Sequence, residues 1–167
     1  PAITVTVEST GMMLRSLPQN VYKRTDTLSL IEGSLTYQNS DGVSVTENPL
    51  DYDITDSGEG WAWYRNANSH LGYPEKTLVL NGINLDTDNV FGIYLPPDST
   101  VVLAEGRNEI NVSYEEANNT AYGILCLGNL TVRGNGELHI TSGTSNSGGS
   151  TGIFTLFNFT LNSGTIY

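Results

Sequence analysis

A three-part phrase recurs through the C-terminal half of this 167-residue chain, once every 23 to 31 residues. Each phrase has a strand that ends in a glycine turn, a second strand, and a third strand that begins with Gly-Ile. The Gly-Ile pairs are Gly92-Ile93, Gly123-Ile124 and Gly152-Ile153. Because a unit of this size cannot bury its own apolar face, a regular period of this kind indicates that successive units stack on one another.

Three strand positions recur at similar spacings from one phrase to the next, which predicts a unit with three sides. Apolar residues stand two apart in the strands, so alternate side chains can stack inward while the others face solvent. The sequence therefore predicts an all-β fold with a right-handed, three-sided parallel β-helix, since crossovers between parallel strands are nearly always right-handed. The predicted inward residues are Leu78, Leu80, Ile83, Leu85, Ile93, Val101, Leu103, Ile110, Val112, Ile124, Leu130, Val132, Leu138, Ile140, Ile153, Phe159 and Leu161.

The N-terminal third of the chain has a different pattern. Residues 3–7 alternate apolar and hydroxyl side chains, and residues 28–37 repeat that alternation before an Asp41-Gly42 pair. Asp-Gly is a hairpin signal because glycine tolerates positive φ. We therefore predict two domains: a small antiparallel β module over residues 1–56, and the β-helix over residues 57–167 with an aromatic cap at its start.

Charge limits the classes of partner. The net charge is −11 and the seven Lys and Arg residues do not cluster, so no basic surface for nucleic acid is expected. The same acidity disfavours anionic membrane surfaces, and no membrane-spanning segment is visible, so membrane insertion is not expected. Divalent cations and neutral glycans suit this charge better. The single cysteine, Cys126, lies in an apolar stretch, which predicts a buried core thiol.

Several phrases of the repeat occur in a set order. They are Gly60-Trp61-Ala62-Trp63, Thr77-Leu78-Val79-Leu80-Asn81-Gly82, Gly92-Ile93-Tyr94-Leu95-Pro96, Thr100-Val101-Val102-Leu103, Gly123-Ile124 and Gly128-Asn129-Leu130-Thr131-Val132. In this order they resemble the β-helical repeats of secreted and surface-anchored proteins from anaerobic, often gut, Firmicutes, which are often labelled carbohydrate-binding-domain-containing. The resemblance covers about residues 57–167 and implies an extracellular or cell-wall-attached protein that binds a glycan, or a host or cell-surface protein. Residues 66–73 are an insertion relative to such proteins.

A second resemblance concerns residues 17–55. Its residues are Tyr22, Asp26, Leu28, Leu30, Gly33, Leu35, Tyr37, Asp41 and Gly42. They resemble the bacterial Ig-like repeats of cell-surface proteins, without a convincing final strand, and imply an incomplete Ig-like module. The chain begins at Pro1 and ends within a strand pattern, so we expect it to be part of a longer chain.

Aromatic residues gather at the start of the predicted β-helix: Trp61, Trp63, Tyr64 and Tyr73. Flat rings here could stack on the faces of sugars while nearby Asn and Asp side chains hydrogen-bond the hydroxyl groups. The competing interpretation, which we favour, is a hydrophobic cap that covers the open end of the stack. A platform predicts exposed rings, and a cap predicts buried tryptophans.

Three tyrosines lie near the strands of the third side: Tyr94, Tyr114 and Tyr122. They could form a second, polar and aromatic face.

Two acidic tracts offer oxygen ligands for calcium. One contains Asp51, Asp53 and Asp56, and the other contains Asp86 and Asp88. Neither tract has the spacing of an EF-hand loop, so solvated acidic loops are the alternative interpretation.

Polysaccharide lyases and glycoside hydrolases also use parallel β-helices, which makes an enzyme the third alternative. A lyase needs a cationic base, and the repeated strands after Pro74 offer Lys76, Arg107 and Arg133. A hydrolase needs paired carboxylates, which the predicted strands lack. We therefore expect a non-catalytic glycan-binding or adhesin module, with a purely structural stalk or spacer as the main alternative.

Overall fold

A computed structural model describes residues 22–31, 35–38, 44–47, 56–58, 60–114, 119–143 and 149–167. Within these ranges the protein is all-β and contains no helix, as the sequence predicts. The strands are β1 (Tyr22–Arg24), β2 (Leu28–Ser29), β3 (Leu35–Gln38), β4 (Ser44–Glu47), β5 (Asp56–Gly58), β6 (Trp61–Tyr64), β7 (Thr77–Leu80), β8 (Ile83–Thr87), β9 (Phe91–Leu95), β10 (Ser99–Leu103), β11 (Arg107–Val112), β12 (Ala121–Cys126), β13 (Leu130–Gly134), β14 (Glu137–Ser142), β15 (Ser150–Thr155), β16 (Phe159–Leu161) and β17 (Thr165–Ile166).

Three sheets contain nearly all of these strands. Sheet I has the order β16-β13-β10-β7-β6-β5, sheet II has the order β1-β8-β11-β14-β17, and sheet III has the order β15-β12-β9-β2. From β7 onward the chain visits sheets I, II and III in turn, and each strand pairs in parallel with the strand three places later. The three strand positions recognised in the sequence therefore correspond to three sheets.

The registers align the apolar residues into columns. In sheet I, Val101 pairs with Leu78 on one side and with Val132 on the other. All three side chains are fully buried. Burying one such side chain stabilises the fold by roughly 1.5–3 kcal/mol, so the columns are the main source of stability.

Most of the predicted inward residues form this core. Thirteen of the seventeen, from Leu78 to Leu138, are buried, and Ile140 and Ile153 are half-buried against them. Phe159 and Leu161 differ. They continue the columns of Leu130 and Val132, yet 44% and 45% of their surfaces are exposed, because β16 is an edge strand of sheet I.

Glycines form a column of their own in sheet III, at Gly92, Gly123 and Gly152, one residue before the paired isoleucines. A Cβ atom on Gly92 would lie 2.6 Å from the Ile110 Cγ2 atom and 2.6 Å from the carbonyl oxygen of Gly123. The Gly-Ile phrase thus places two successive residues toward the core, and at Gly92 and Gly123 only glycine leaves room for the side chains of sheet II.

A side-chain ladder runs along the residues that precede the strands of sheet I. The amide Nδ2 of Asn129 donates to the carboxylate of Asp98 (2.6 Å), and Asn158 Nδ2 donates to Asn129 Oδ1 (2.9 Å). The backbone N–H of Asn158 donates to the same oxygen at 3.2 Å. The 29-residue spacing of the two asparagines predicts this stacked arrangement, and the hydrogen bonds confirm it.

The N-terminal strands differ in part from expectation. β3 and β4 form an antiparallel pair, as the Asp-Gly signal predicts, although the turn itself and residues 3–7 lie outside the described residues. In contrast, β1 pairs in parallel with β8, and β2 pairs in parallel with β9. Leu28 and Leu30 are buried in the common core. Residues 22–30 therefore extend sheets II and III, whereas the sequence pattern assigned them to an antiparallel unit.

Candidate functional site

The two tryptophans at the start of the repeat region are buried. Trp61 and Trp63 lie on β6, which pairs antiparallel with β7 so that Trp61 faces Leu80 and Trp63 faces Leu78. Only 9% and 4% of their surfaces are exposed, and both belong to the apolar core cluster. This is the arrangement that a cap requires. The burial of both rings fits a cap better than an exposed platform.

Tyr64 and Tyr73 lie together on the outer side of sheet I. Their ring centroids are 5.2 Å apart in an edge-on arrangement, and both residues are half-buried. The guanidinium of Arg133 lies 5.8 Å from the centroid of the Tyr73 ring and donates a 2.8 Å hydrogen bond to the carbonyl of Gly72. The loop at residues 66–73 is thereby tied to β13 across the sheet.

A second set of aromatic residues lies outside the core on sheet III. We name it the aromatic face and define it as Phe91, Tyr94, Tyr122 and Phe154. The centroids of Phe91 and Tyr94 are 5.3 Å apart at 19°, and those of Phe91 and Tyr122 are 5.8 Å apart at 24°. Tyr122 and Phe154 meet edge-on at 5.7 Å. The rings form one continuous array across β9, β12 and β15.

The Gly-Ile phrase explains why these rings point away from the core. In β12, both Ile124 and Cys126 are core residues, and a Cβ atom on Gly123 would meet the Ile140 side chain. Strict alternation is broken where Gly123 and Ile124 both face inward. Tyr122 and Leu125, three residues apart, consequently share the outer side.

Exposure varies along the aromatic face. Phe154 is 40% exposed, Phe91 and Tyr122 are half-buried, and Tyr94 is buried. Burial raises the pKa of the Tyr94 hydroxyl above its ordinary value, because the phenolate would lose solvation. The accessible part of the array is therefore formed by Phe91, Tyr122 and Phe154.

Sequence reasoning found part of this array. The pattern predicts Tyr94, Tyr114 and Tyr122 as a polar and aromatic face on the third side. Tyr114 is instead buried in the core, where its hydroxyl accepts a 3.1 Å hydrogen bond from Asn119 Nδ2. Phe91 and Phe154 were missed, although their positions two before and one after an isoleucine of the phrase are a recognisable signal.

A cavity of about 380 Å³ lies beside the buried Trp63. Its walls come from the segment after β2, the connections around β6 and β7, and the turns after β9 and β12. Two of the lining side chains are cationic and none of those described is acidic. The lining residues are Leu30, Ile31, Trp63, Arg65, Lys76, Pro96, Pro97 and Leu127.

The candidate calcium ligands are not gathered by the described part of the fold. Asp86 is exposed on β8 and Asp88 is exposed just after it. Among the described residues there is no group of three or more His, Cys, Asp or Glu side chains that could hold a metal ion. Asp51 and Asp53 lie outside the described residues, and only the backbone of Asp56 is described. Calcium binding stays a prediction.

The three candidate bases after Pro74 all have structural partners. Arg107 Nε lies 2.6 Å from Glu109 Oε1, and Lys76 Nζ donates to the carbonyl of Pro97 at 3.2 Å. Arg133 holds the loop at residues 66–73, as described above. His139 stacks on Tyr167 at 4.3 Å and lies 3.0 Å from Glu137 Oε2.

Comparisons with protein-family models, with curated proteins and with solved structures found no match. Across the part of the chain that the structure describes, no helix has the length and apolar character needed to cross a membrane.

Proposed function

We propose that this chain is a non-catalytic carbohydrate-binding module of a secreted or cell-wall-attached bacterial protein. In this proposal residues 57–167 form a right-handed, three-sided parallel β-helix, and the sugar binds on the outer side of sheet III. The architecture is supported by the I, II, III order of the strands and by parallel pairing with every third strand. The binding role is supported by the aromatic face.

The observation that carries the binding proposal is the continuous array of Phe91, Tyr122 and Phe154 outside the core. Aromatic side chains contribute large apolar contact areas, and a contiguous exposed apolar patch, unlike a singly exposed ring, often marks a binding surface. Three partly exposed rings on neighbouring strands give a surface about as long as a short oligosaccharide, since strands in a sheet lie about 4.8 Å apart.

Charge favours a neutral glycan over an acidic one at this face. The chain carries a net charge of −11, which repels polyanionic polysaccharides over the length scale of electrostatic screening. Stacking and hydroxyl contacts do not depend on ligand charge. Binding at the aromatic face should therefore change little with salt concentration.

The non-catalytic part of the proposal is supported by the partners of the cations. Lys76, Arg107 and Arg133 are the candidates for the base of a lyase-type reaction, and each has a hydrogen bond or an ion pair with a structural group. A catalytic base would instead be held toward a substrate atom within hydrogen-bond reach. The geometry fits a binding surface better than a reactive centre.

A structural spacer is the second candidate, and a specific observation favours it. Phe159 and Leu161 continue core columns of sheet I but are exposed on the edge strand β16. A further layer of strands of the same kind would cover them and extend the stack. In a spacer, the aromatic face would only stabilise the outer side of sheet III.

A glycan array probed with the full chain and with the double variant Tyr122→Ala, Phe154→Ala tests the proposal. We expect the wild-type chain to bind neutral oligosaccharides and the double variant to lose about tenfold or more of its affinity, because aromatic contacts contribute roughly 0.5–1.5 kcal/mol each beyond buried area. The matched control is Phe157→Ala, which removes an exposed ring from the turn after β15 and should leave binding unchanged.

Two outcomes would refute the binding role. A silent array with folded wild-type protein favours the spacer. A glycan signal that survives the double variant but is lost in another variant places the site elsewhere on the molecule.

A further inference from the structure

We infer that the ligand of the aromatic face is a neutral glucan chain that curves from one sugar to the next, and not a straight, ribbon-like chain. This inference rests on the proposed function and names the class of ligand for the same site. Three properties of sheet III carry it: the absence of charged residues from its strands, the path of its accessible rings, and the angles between those rings.

The strands of sheet III carry no charged residue. β2, β9, β12 and β15 contain no Asp, Glu, Lys or Arg. In contrast, β11 of sheet II contains Arg107 and Glu109, and β13 of sheet I contains Arg133. A charged ligand would find no partner of opposite sign on the strands of sheet III and would lose solvation against the aromatic rings. The ligand that suits this surface is therefore neutral.

The outer side of sheet III is mainly apolar. Phe91, Leu125 and Phe154 supply apolar surface there, and Tyr122 and Thr151 add hydroxyl groups. Stacking on such a surface requires a sugar ring whose hydroxyl groups lie around its rim and whose faces consist of C–H groups. Glucose is such a sugar, because its non-anomeric substituents are all equatorial.

The accessible rings follow a path that bends. Two columns of outer residues run across β9, β12 and β15: Phe91, Tyr122 and Thr151 form the first, and Tyr94, Leu125 and Phe154 form the second. The accessible rings start in the first column and end in the second. A straight chain laid along the first column would pass over Thr151 and miss Phe154. A chain that bends between β12 and β15 contacts all three accessible rings.

The ring planes turn at the same place as the path. The planes of Phe91 and Tyr122 differ by 24°, with centroids 5.8 Å apart. The planes of Tyr122 and Phe154 differ by 70°, with centroids 5.7 Å apart. These are offset-stacked and edge-to-face arrangements, since two rings side by side in one plane would overlap at such distances. No single plane therefore lies flat on all three rings.

Glucans of different linkage differ in the property that this surface selects. The glucan chain of cellulose is a flat, straight ribbon. The glucan chains of amylose and laminarin curve into helices, so their ring planes turn from one sugar to the next. The curved chains match both the bend in the path and the turn of the ring planes. Because β9 and β15 are separated by two strand spacings, or about 10 Å, a short section of chain covers the face.

The test is a calorimetric titration of the full chain with three isomeric pentasaccharides of glucose: cellopentaose, maltopentaose and laminaripentaose. All three are neutral and have the same composition, so a difference in affinity reports on the shape of the chain. We expect maltopentaose or laminaripentaose to bind about fivefold or more tightly than cellopentaose, since a curved chain gains one more ring contact. Added salt should leave this ratio unchanged.

Two variants remove or straighten the bend. Phe154→Ala should lower the affinity for the curved pentasaccharide about fivefold and leave the affinity for cellopentaose unchanged. The double variant Thr151→Tyr, Phe154→Ala moves the last ring into the first column and should shift the preference toward cellopentaose. Phe157→Ala is the matched control, because it removes an exposed ring from the turn after β15. If the double variant fails to fold by circular dichroism, Phe154→Ala against Phe157→Ala decides.

Cellopentaose that binds as tightly as both curved isomers, or more tightly, would overturn the inference and leave the proposed function standing. The same holds if none of the three pentasaccharides binds while the array returns another neutral glycan. Equal losses for Phe154→Ala and Phe157→Ala would also overturn the inference. A silent array with folded protein removes the proposed function, and the inference with it.

Discussion

Glycine at the first position of each Gly-Ile phrase decides how sheets II and III pack. At the inner position of the column, Gly123 faces the Ile140 side chain and the carbonyl oxygen of Gly152. At the edge, a Cβ atom on Gly152 would have its nearest neighbour, the Ile140 Cγ2 atom, at 3.8 Å, an ordinary contact distance. The same residue type at equivalent positions is therefore required at one site and optional at the other.

Gly123→Ala should destabilise the protein by about 1–3 kcal/mol, because the added methyl overpacks the core and has backbone on one side that cannot yield. Gly152→Ala is the matched control and should change stability by less than about 0.5 kcal/mol, as most unconstrained substitutions do. Urea unfolding of both variants measures the difference. Equal losses for the two glycines would contradict the packing explanation.

The burial of a single residue can be predicted from the sequence where its apolar surroundings alone decide it. Cys126 is buried as predicted, and burial raises the pKa of its thiol. The burial of the two tryptophans was harder to predict, since an exposed platform and a buried cap both need aromatic residues at the same place in the chain. Only the antiparallel pairing of β6 with β7, a long-range contact, turns Trp61 and Trp63 inward.

At the scale of elements, the three sheet I strands β10, β13 and β16 are each preceded by a polar residue, and these residues form a continuous ladder. Asn129 occupies its centre, with one side-chain donor on Asp98 and one side-chain oxygen that accepts twice from Asn158. Such hydrogen bonds fix the register of adjacent strands. They do so more specifically than the packing of apolar side chains alone.

Asn129→Ala should cost about 1–2 kcal/mol, since it removes three hydrogen bonds, each with a small net contribution of about 0.5–1.5 kcal/mol that exposure further reduces. Asn158→Ala removes only the side-chain bond at the edge of the ladder and serves as the graded control. Thermal unfolding compares them. A larger loss for Asn158→Ala than for Asn129→Ala would show that the ladder does not act as described.

The strands that belong to the repeat could be predicted from the sequence more completely than the strands outside it. The strands from β7 to β16 follow a period and a pattern of apolar alternation, so their positions and their inward residues could be read from the sequence. β1 and β2 have three and two residues. Strands so short carry almost no periodic signal, and their parallel pairing with β8 and β9 depends on contacts across more than sixty residues.

At the scale of the whole molecule, the inner residues of the repeated strands form the core, and the outer surface differs in chemistry from place to place. The aromatic face is an array of rings on sheet III, and the cavity beside Trp63 is lined by apolar residues and two cationic ones. The sequence pattern predicts only Tyr94 and Tyr122 of the aromatic face, which arises where alternation breaks. It does not predict the cavity, which is built by connections between strands.

The most direct test of the proposed function is an NMR titration of the chain with a neutral oligosaccharide selected on the array. The chain contains only two tryptophans, so their indole N–H signals report on Trp61 and Trp63 without overlap. We expect the ring signals of Phe91, Tyr122 and Phe154 to shift as the sugar saturates its site, while both indole signals stay in place. Shifts confined to the indole signals, or no shifts on the aromatic face at a saturating sugar concentration, would contradict it.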